Sequence, residues 1–387
     1  MKRITEDEIQ AAIEVLKSQK LSRFFQNFKG GEHVRAFEEK FREFYDVKHA
    51  ISVCNGTAAL HTALLALGCK GGEVITTPYT FVSTATSIIM AGGTPVFVDI
   101  EPLTNNIDPE QIEKAITKKT VGILPVHLLG YPCNMYDIMQ IAEDHNLWVL
   151  EDCAQALGTR YKYAPVGTYG NAAIFSFQDT KQITTGGEGG MIITDDQDIA
   201  EKCYNIRNHG EKYNNAMIMG YNYRLTEMQA AIGSVQLEKL LYYNDWQRKN
   251  AEYVIKNLPK QIEPPFCSID AYPTYWILGC KMEAGLRDLF LKECQERKLT
   301  EPEPTKTISG GYDRLIYQLP YFQKYYKTRY GFSIYSQKNP CPFAEHALKT
   351  ALWIDRVRFP NTMEDMFKMI QSFKEILLLS NMWKHKC

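Results

Sequence analysis

The stretch S-F-Q-D-T-K at residues 176–181, followed by G-G-E-G-G at residues 186–190, is the part of the sequence that decides the fold. It ends an apolar run, residues 172–177, that predicts a buried strand. The glycines allow a tight turn before a second predicted strand at residues 191–194. Lys181 therefore lies at a constricted corner, where a lysine is unfavourable unless its amine has a partner.

Lys181 has two interpretations at this point. A carbonyl group is one suitable partner, since a lysine amine forms a Schiff base with it. Alternatively, the side chain reaches solvent beside an ordinary glycine-rich hairpin. This segment alone favours neither interpretation, and the residues upstream decide between them.

The composition is that of a soluble protein, and the length predicts two domains. The chain has 387 residues, of which 45% are hydrophobic and 23% charged, and its formal net charge is −1. With scattered basic residues and almost no net charge, the chain has no overall field that attracts nucleic acid or an anionic membrane.

The cysteines and the N-terminus predict a cytoplasmic protein. The ten cysteines include no C-x-x-C pair and no Cys/His cluster with zinc-ligand spacing, so we expect reduced thiols and no metal. The N-terminus becomes acidic at once and lacks the apolar segment of a signal peptide. No apolar run reaches 18 residues, so we expect no transmembrane helix.

Short apolar strands alternate with helical patterns between residues 50 and 200. The predicted strands are 74–77, 95–99, 122–126, 147–152, 172–177 and 191–194, and the predicted helices are 57–67, 82–90, 109–116 and 135–145. This alternation predicts an α/β fold with a mostly parallel sheet flanked by helices.

The second half of the chain predicts a smaller α+β domain. A proline-free helical pattern at 226–258 links to it, followed by a strand at 274–282, helices at 286–297, 344–352 and 363–379, and a loop at 301–342 rich in proline and tyrosine. We place the large domain, with an N-terminal helical segment, at 1–240, and the linking helix and small domain at 241–387.

A candidate phosphate site lies at Asn55-Gly56-Thr57, where a short strand gives way to a helix. Helix N-termini bind phosphate through unpaired amides and the helix dipole, and Gly56 permits close approach. The alternative is that Asn55 or Thr57 only caps the helix. The dinucleotide and P-loop motifs are missing from this position, which argues against a nicotinamide or nucleoside triphosphate site.

Two carboxylates, Glu151 and Asp152, end the predicted strand at 147–152. Ligands of open α/β sheets bind beyond the carboxyl ends of the strands. These carboxylates could hold a metal, act as acid and base, or pair with a protonated ring nitrogen; the alternative is a solvated loop. Asp152 precedes Lys181 by 29 residues, about one loop and one strand, so both side chains could reach one pocket.

Seven ordered motifs resemble the DegT/StrS family of pyridoxal-phosphate sugar aminotransferases, within the aspartate aminotransferase superfamily of fold type I. They are N-G-T-A-A-L (55–60), P-Y-T-F-V-S-T-A (78–85), G-T-P-V-F-V-D-I (93–100), E-D-C-A-Q-A (151–156), F-S-F-x-x-T-K (175–181), G-G-E-G-G (186–190) and Y-N-Y-R-L-T-E-M-Q-A-A-I-G (221–233). The resemblance covers roughly residues 30–233.

The resemblance implies a role for each matching residue. Lys181 matches the lysine that forms the Schiff base with pyridoxal 5'-phosphate, and Asp152 matches the carboxylate paired with the ring nitrogen. The other implied cofactor contacts are the residues near the ring, Gln155 and Phe81, and the phosphate ligands, Gly56, Thr57 and Ser176. Asn222 matches an asparagine that reaches the phosphate of the neighbouring subunit, which implies a homodimer.

The implied reaction moves an amino group from glutamate or glutamine to a keto sugar, most naturally a nucleotide-linked keto-deoxysugar. Gln178 also resembles the branch acting on cyclitol ketones, so a small polyol ketone is an alternative acceptor, with Tyr312, Arg314 and Tyr317 as candidate pocket residues or ordinary loop packing. Two further hypotheses are a cofactor-binding regulator and an eliminating enzyme, although the eliminating members of this family carry histidine at the position of Lys181.

Overall fold

The computed structural model of this protein describes residues 3–24, 27–212, 215–299, 308–330 and 340–384. Its strands are β1 (His49–Val53), β2 (Glu73–Thr76), β3 (Thr94–Phe97), β4 (Thr120–Ile123), β5 (Trp148–Asp152), β6 (Arg160–Tyr161), β7 (Ala164–Pro165), β8 (Ala172–Ser176), β9 (Gly190–Thr194), β10 (Glu211–Lys212), β11 (Asn215–Ala216), β12 (Ala271–Tyr272), β13 (Leu278–Lys281), β14 (Ile308–Ser309) and β15 (Ala351–Ile354).

The helices cover the sheets and link the two halves of the chain. They are α1 (Glu6–Ser18), α2 (Glu32–Tyr45), α3 (Gly56–Ala66), α4 (Ser83–Met90), α5 (Pro109–Ala115), α6 (Met135–Asp144), α7 (Gln197–Arg207), α8 (Glu227–Asn257), α9 (Ala284–Glu296), α10 (Pro320–Tyr330), α11 (Pro342–Thr350) and α12 (Met363–Lys384). None of the described helices has the length and apolar character that crossing a bilayer requires.

A seven-stranded sheet in the order β1-β9-β8-β5-β4-β2-β3 forms the centre of the large domain. The neighbours from β8 to β3 pair in parallel, whereas β9 runs antiparallel to both β8 and β1. Every residue of β8 and β9 is buried, as expected for strands covered on both faces. The predicted α/β class with a mostly parallel sheet flanked by helices is confirmed.

A second, smaller layer follows the long helix α8. An antiparallel sheet in the order β13-β15-β14 packs with α9, α11 and α12 around a core that includes Phe290, Leu352 and Phe373. Helix α8 runs for 31 residues through position 240, and its N-terminus is closed by a capping box between Thr226 and Gln229. The domain boundary at 240/241 remains a prediction.

Two predictions for the second half of the chain were wrong. The predicted loop at 301–342 contains α10, although residues 300–307 and 331–339 lie outside the described part of the chain. The predicted helix at 344–352 ends at Thr350, because Ala351–Ile354 forms the central strand β15 between β13 and β14. A four-residue apolar run does not by itself distinguish helix from strand, and here strand pairing decided.

A buried ion pair joins three elements of the large domain. Arg207, at the end of α7, is fully buried and donates to Glu38 of α2, to the carbonyl oxygen of Ser52 in β1 at 2.8 Å, and to the carbonyl oxygen of Lys29 at 3.2 Å. Glu38 also accepts from the amide of Ser52 at 2.9 Å. This network fixes the edge strand β1, whose end leads directly into α3.

We expect Arg207→Met to lower the free energy of unfolding by about 3–5 kcal/mol, because it leaves the Glu38 carboxylate buried without its partner. Urea unfolding of the purified protein measures this change. Arg42→Met is the control, since Arg42 pairs with Glu39 on the surface, where an ion pair contributes little. Equal effects of the two substitutions would contradict a special role for the buried pair.

Candidate active site

A cavity of about 830 Å³ opens at the carboxyl ends of β5 and β8, beside the N-terminus of α3. Seven of the eight site residues predicted from the sequence line it: Gly56, Thr57, Phe81, Asp152, Gln155, Ser176 and Lys181. The eighth, Asn222, is exposed and lies outside the lining of this cavity. The sheet topology thus gathers residues that are up to 125 positions apart in the chain.

Lys181 is held by a compact loop that follows β8. The amide of Phe177 donates to the carbonyl oxygen of Gly189 at 2.8 Å, and the amide of Lys181 donates to the carbonyl oxygen of Gln178, also at 2.8 Å. The Gln178 side-chain oxygen accepts from the amide of Thr180 at 2.9 Å and from its hydroxyl at 2.6 Å. Gly186, at φ +86°, supplies the left-handed turn that brings the chain back.

The amine of Lys181 lies in an environment that favours its neutral form. Burial lowers its pKa to about 8, and Arg358 acts in the same direction, while Asp152 opposes the change. The Nζ atom lies 3.8 Å from the centre of the Trp276 ring. An amine with a pKa near 8 exchanges a proton readily at neutral pH, as a general base or Schiff-base lysine must.

Asp152 ends β5 and is 3% exposed. One carboxylate oxygen accepts from the amide of Ala154 at 3.1 Å, and the other accepts from the hydroxyl of Thr84 at 2.9 Å. Burial raises the pKa of Asp152, whereas these two hydrogen bonds and the charge of Lys181 counteract the rise. The carboxylate retains acceptor capacity toward the cavity, which suits a positively charged N–H donor.

Glu151, the other carboxylate at this strand end, faces away from the cavity, as the pleat requires of a neighbouring residue. It is fully buried and accepts from the amides of Gly167, Tyr169 and Gly170, each at 2.8 Å, and its oxygen lies 3.0 Å from His127 Nε2.

His127, Glu151 and Cys153 form a possible metal-ligating group among the described residues. However, His127 Nδ1 accepts from the amide of Cys133 at 3.0 Å, and both carboxylate oxygens of Glu151 are already hydrogen-bonded. These contacts give the cluster a structural role that needs no metal. The idea that Glu151 and Asp152 together hold a metal is therefore wrong.

The first turn of α3 forms a cradle for an anion. Asn55 caps the helix through a bond from the amide of Ala58 at 2.8 Å, while Gly56 and Thr57 belong to the turn whose amides lack intrahelical acceptors. A side chain at Gly56 would place its Cβ 3.2 Å from the hydroxyl oxygen of Ser176, so glycine keeps this space open. The amides, the dipole and two hydroxyls suit a phosphate group.

Phe81 and Gln155 complete the walls of the cavity. Phe81 is 59% exposed, so its ring offers an apolar face to a flat ligand. Gln155 is buried; its oxygen accepts from the amide of Leu129 at 2.7 Å, and its amide nitrogen lies 3.5 Å from the hydroxyl of Tyr312. The residues present therefore fit pyridoxal 5'-phosphate: a phosphate cradle, a ring face, an anion for the ring nitrogen and an amine.

Of the three candidate acceptor residues, only Tyr312 approaches the cavity, through its contact with Gln155. Tyr317 is buried in the core of the smaller domain, where its hydroxyl donates to Glu345 at 3.0 Å. Arg314 is exposed and does not belong to the cavity lining. The interpretation of Tyr317 as a pocket residue is therefore wrong, because the loop turns its ring into the core.

Sequence reasoning missed Thr84, Trp276 and Arg358. Thr84 had a usable signal, because it belongs to the motif at residues 78–85 and lies near the start of a predicted helix; its hydroxyl lies 3.3 Å from that of Thr80 in the structure. Trp276 and Arg358 had none, because their contacts with the Lys181 loop join regions separated by 96 and 178 residues.

Comparison with known proteins identifies the family of this chain. The profile of the DegT/DnrJ/EryC1/StrS aminotransferase family matches residues 2–355. GDP-perosamine synthase of Escherichia coli O157:H7 is 39% identical over 71% of this chain and 76% of its own length. A pleiotropic regulatory protein of Geobacillus stearothermophilus is 49% identical over 57% of this chain and 60% of its own length.

A solved structure agrees over nearly the whole chain. The aminotransferase from Psychrobacter cryohalolentis has a TM-score of 0.87 and 32% sequence identity, with 97% of each chain covered. Enzymes of the matching family depend on pyridoxal 5'-phosphate, which is therefore the cofactor of this protein.

Cofactor affinity should fall at low pH, and we call this part of the pH profile its acid limb. We expect Thr84→Val to move the acid limb to higher pH. We expect the Asp152 carboxylate to pair with the protonated ring nitrogen, and this carboxylate is lost as the pH falls through its pKa. Removing the Thr84 hydrogen bond raises that pKa further, because this bond stabilises the charged carboxylate. Cofactor dissociation constants measured across a pH series test this.

Thr84→Ser is the matched control, since it keeps the hydroxyl and should leave the acid limb close to that of the unmodified protein. An acid limb at the same pH in Thr84→Val and Thr84→Ser would show that the Thr84 hydrogen bond does not set the charge of Asp152.

Proposed function

The chain belongs to the DegT/DnrJ/EryC1/StrS aminotransferase family, and we propose that it transfers the amino group of glutamate or glutamine to a nucleotide-linked keto-deoxysugar. The observation that carries this proposal is the meeting of the Lys181 amine, the Asp152 carboxylate and the α3 phosphate cradle in one cavity. The name of the perosamine synthase relative supports a nucleotide-sugar acceptor.

Lys181 is the proposed catalytic base. When bound, pyridoxal phosphate supplies an electron sink that lets an amino group pass from donor to acceptor in two half-reactions. In each half-reaction Lys181 Nζ would take a proton from one carbon and give it to another: from the donor to the bound cofactor in the first, and from the cofactor to the acceptor in the second. Its lowered pKa, due mainly to burial, keeps enough neutral amine at physiological pH for this task.

Asp152 is the proposed partner of the ring nitrogen. Its carboxylate is oriented by Thr84 and Ala154, so its oxygens are already positioned before a cofactor binds. Gly56, Thr57 and Ser176 would hold the phosphate, Phe81 would lie against the ring, and Gln155 would lie near the ring oxygen. These residues keep the reacting atoms beside Lys181 and away from bulk water.

The alternative acceptor, a cyclitol ketone, rests on Gln178. Gln178 lines the cavity, but its side-chain oxygen is bonded to Thr180 and its amide nitrogen to Asp179. The loop that holds Lys181 thus accounts for this glutamine without a substrate, which favours the nucleotide-sugar proposal. A regulatory role, as in the name of the Geobacillus relative, does not require a lysine tuned for proton transfer.

A homodimer with shared active sites is the second part of the proposal. Asn222 is exposed and outside the cavity of its own chain, and the neighbouring Met217, Ile218 and Met219 are also exposed. An exposed apolar row of this kind favours a protein contact. Asn222 would then complete the phosphate site of the partner. The cytoplasmic location remains a prediction, consistent with the free cysteines of the described residues.

Adding glutamate or glutamine to the cofactor-loaded protein without an acceptor should abolish the visible absorbance of the lysine-bound cofactor and release one equivalent of keto acid. Stopped-flow absorbance and keto-acid analysis test this half-reaction. Lys181→Ala should lose both signals. A loaded protein whose spectrum responds to no amino donor would contradict the aminotransferase half-reaction and favour elimination or regulation.

Subunit mixing tests the position of Asn222. We expect Lys181→Ala and Asn222→Ala proteins to be impaired alone but to regain about one quarter of the sites when mixed, since half of the dimers are mixed and each has one intact site. The measurement is donor half-reaction amplitude after subunit exchange. Mixing Lys181→Ala with Asp152→Asn is the control and should restore nothing. No recovery in the first mixture would place Asn222 in its own chain's site.

A further inference from the structure

Three successive carbonyl groups of the Lys181 loop accept hydrogen bonds from distant parts of the chain. The guanidinium of Arg3 donates to the carbonyl oxygens of Asp179 and Lys181. The carbonyl oxygen of Thr180 accepts from Trp276 Nε1 at 2.7 Å and from Arg358. The backbone on both sides of Lys181 is thus fixed by the N-terminal segment and by residues that follow α8.

Arg3 is itself firmly placed. Its carbonyl oxygen accepts from Gln236 Nε2 at 3.1 Å and from the hydroxyl of Tyr243 at 3.2 Å, both on α8. The helix that follows, α1, begins with a capping box between Thr5 and Glu8 and packs along α8.

A second contact strengthens the attachment of the N-terminal segment to α8. Lys239 of α8 donates to the hydroxyl of Thr5 at 2.7 Å and to the carboxylate of Glu8 at 2.8 Å. The segment therefore has its own anchor on α8, and its attachment does not depend on the contact between Arg3 and the loop.

The chemistry of arginine suits this position. Its planar fork presents donors in fixed directions, so a single side chain can bridge the carbonyl groups of residues 179 and 181. Lysine, with one compact ammonium group, would carry the same charge but hold the loop less firmly. Arg3 and Arg358 are close enough to repel each other: burial lowers the pKa of Arg3 to about 10, and Arg358 contributes. Both guanidinium groups donate to backbone carbonyl oxygens, and these hydrogen bonds compensate for placing the two cations together.

We propose that Arg3 is a positioning residue for Lys181, which makes the N-terminal segment part of the active-site structure. The inference rests on the proposed role of Lys181 as the catalytic lysine. Arg3 acts through the backbone: it restricts the loop so that Nζ stays within reach of the reacting carbon. A displacement of about 1 Å at such a position can reduce a rate about 100-fold.

The test compares Arg3→Gln and Arg3→Lys with Lys17→Gln, which removes an exposed cation from α1 of the same segment. In cofactor-loaded protein we expect Arg3→Gln to lower the saturated rate of the donor half-reaction about 10- to 100-fold while the half-saturating donor concentration stays the same. The saturated rate of Arg3→Lys should lie between those of Arg3→Gln and the unmodified protein, and that of Lys17→Gln should equal the rate of the unmodified protein.

A second measurement uses the cofactor-free protein. Hydrogen–deuterium exchange of the segment 178–185 should be faster in Arg3→Gln than in Lys17→Gln, whereas exchange in β5 should be the same. If Arg3→Gln does not fold, Arg3→Lys carries the same comparison. Unchanged rate and unchanged exchange in the arginine variants would overturn the inference.

Lys181→Ala separates this inference from the proposed function. If Lys181→Ala still gives the absorbance and half-reaction of the lysine-bound cofactor, the proposed function is wrong and the inference falls with it. If Lys181→Ala loses the absorbance and the half-reaction, while the Arg3 variants change neither the half-reaction rate nor the hydrogen–deuterium exchange, only the inference is wrong.

Discussion

The buried carboxylate of Asp152 is the constraint on which the arrangement of this site depends. A charge at 3% exposure is unfavourable unless hydrogen bonds and opposite charges compensate for the lost water. Here the compensation comes from Thr84 on α4, the Ala154 amide and Lys181 beyond β8. Thr84, the Ala154 amide and Lys181 must therefore come together around Asp152 at one edge of the sheet, where the cavity lies.

At the same edge of the sheet, two carboxylates that are adjacent in the chain lie in different surroundings. The pleat of β5 sends Asp152 into the cavity and Glu151 into the opposite layer, where three amides and His127 satisfy it. One acid therefore remains available for a ligand, while the other anchors the segment 167–170. Neighbouring residues with the same chemistry thus have separate functions because they lie on opposite faces of the strand.

Lys181 illustrates how local and distant interactions combine. The turn that carries it is built locally, from Gln178, Thr180 and the glycines that follow. Its amine, however, lies against Trp276 and near Arg358, and its backbone is held by Arg3, so residues from both ends of the chain determine its environment. Arg358, which follows the long helix α8, thus contributes to the lowered pKa of Lys181, while Arg3 contacts its backbone.

The sequence by itself determined the α/β class, the positions of the strands that end at the site, and seven residues of the cavity, because these follow from local periodicity and ordered motifs. It did not determine that Ala351–Ile354 is a strand, that Tyr317 turns into the core, or that Trp276, Arg358 and Arg3 hold the Lys181 loop. Those outcomes were decided by tertiary structure. They depend on contacts between segments that are not adjacent in the chain, such as Trp276 and Thr180, 96 residues apart, and such pairing leaves no periodic signal.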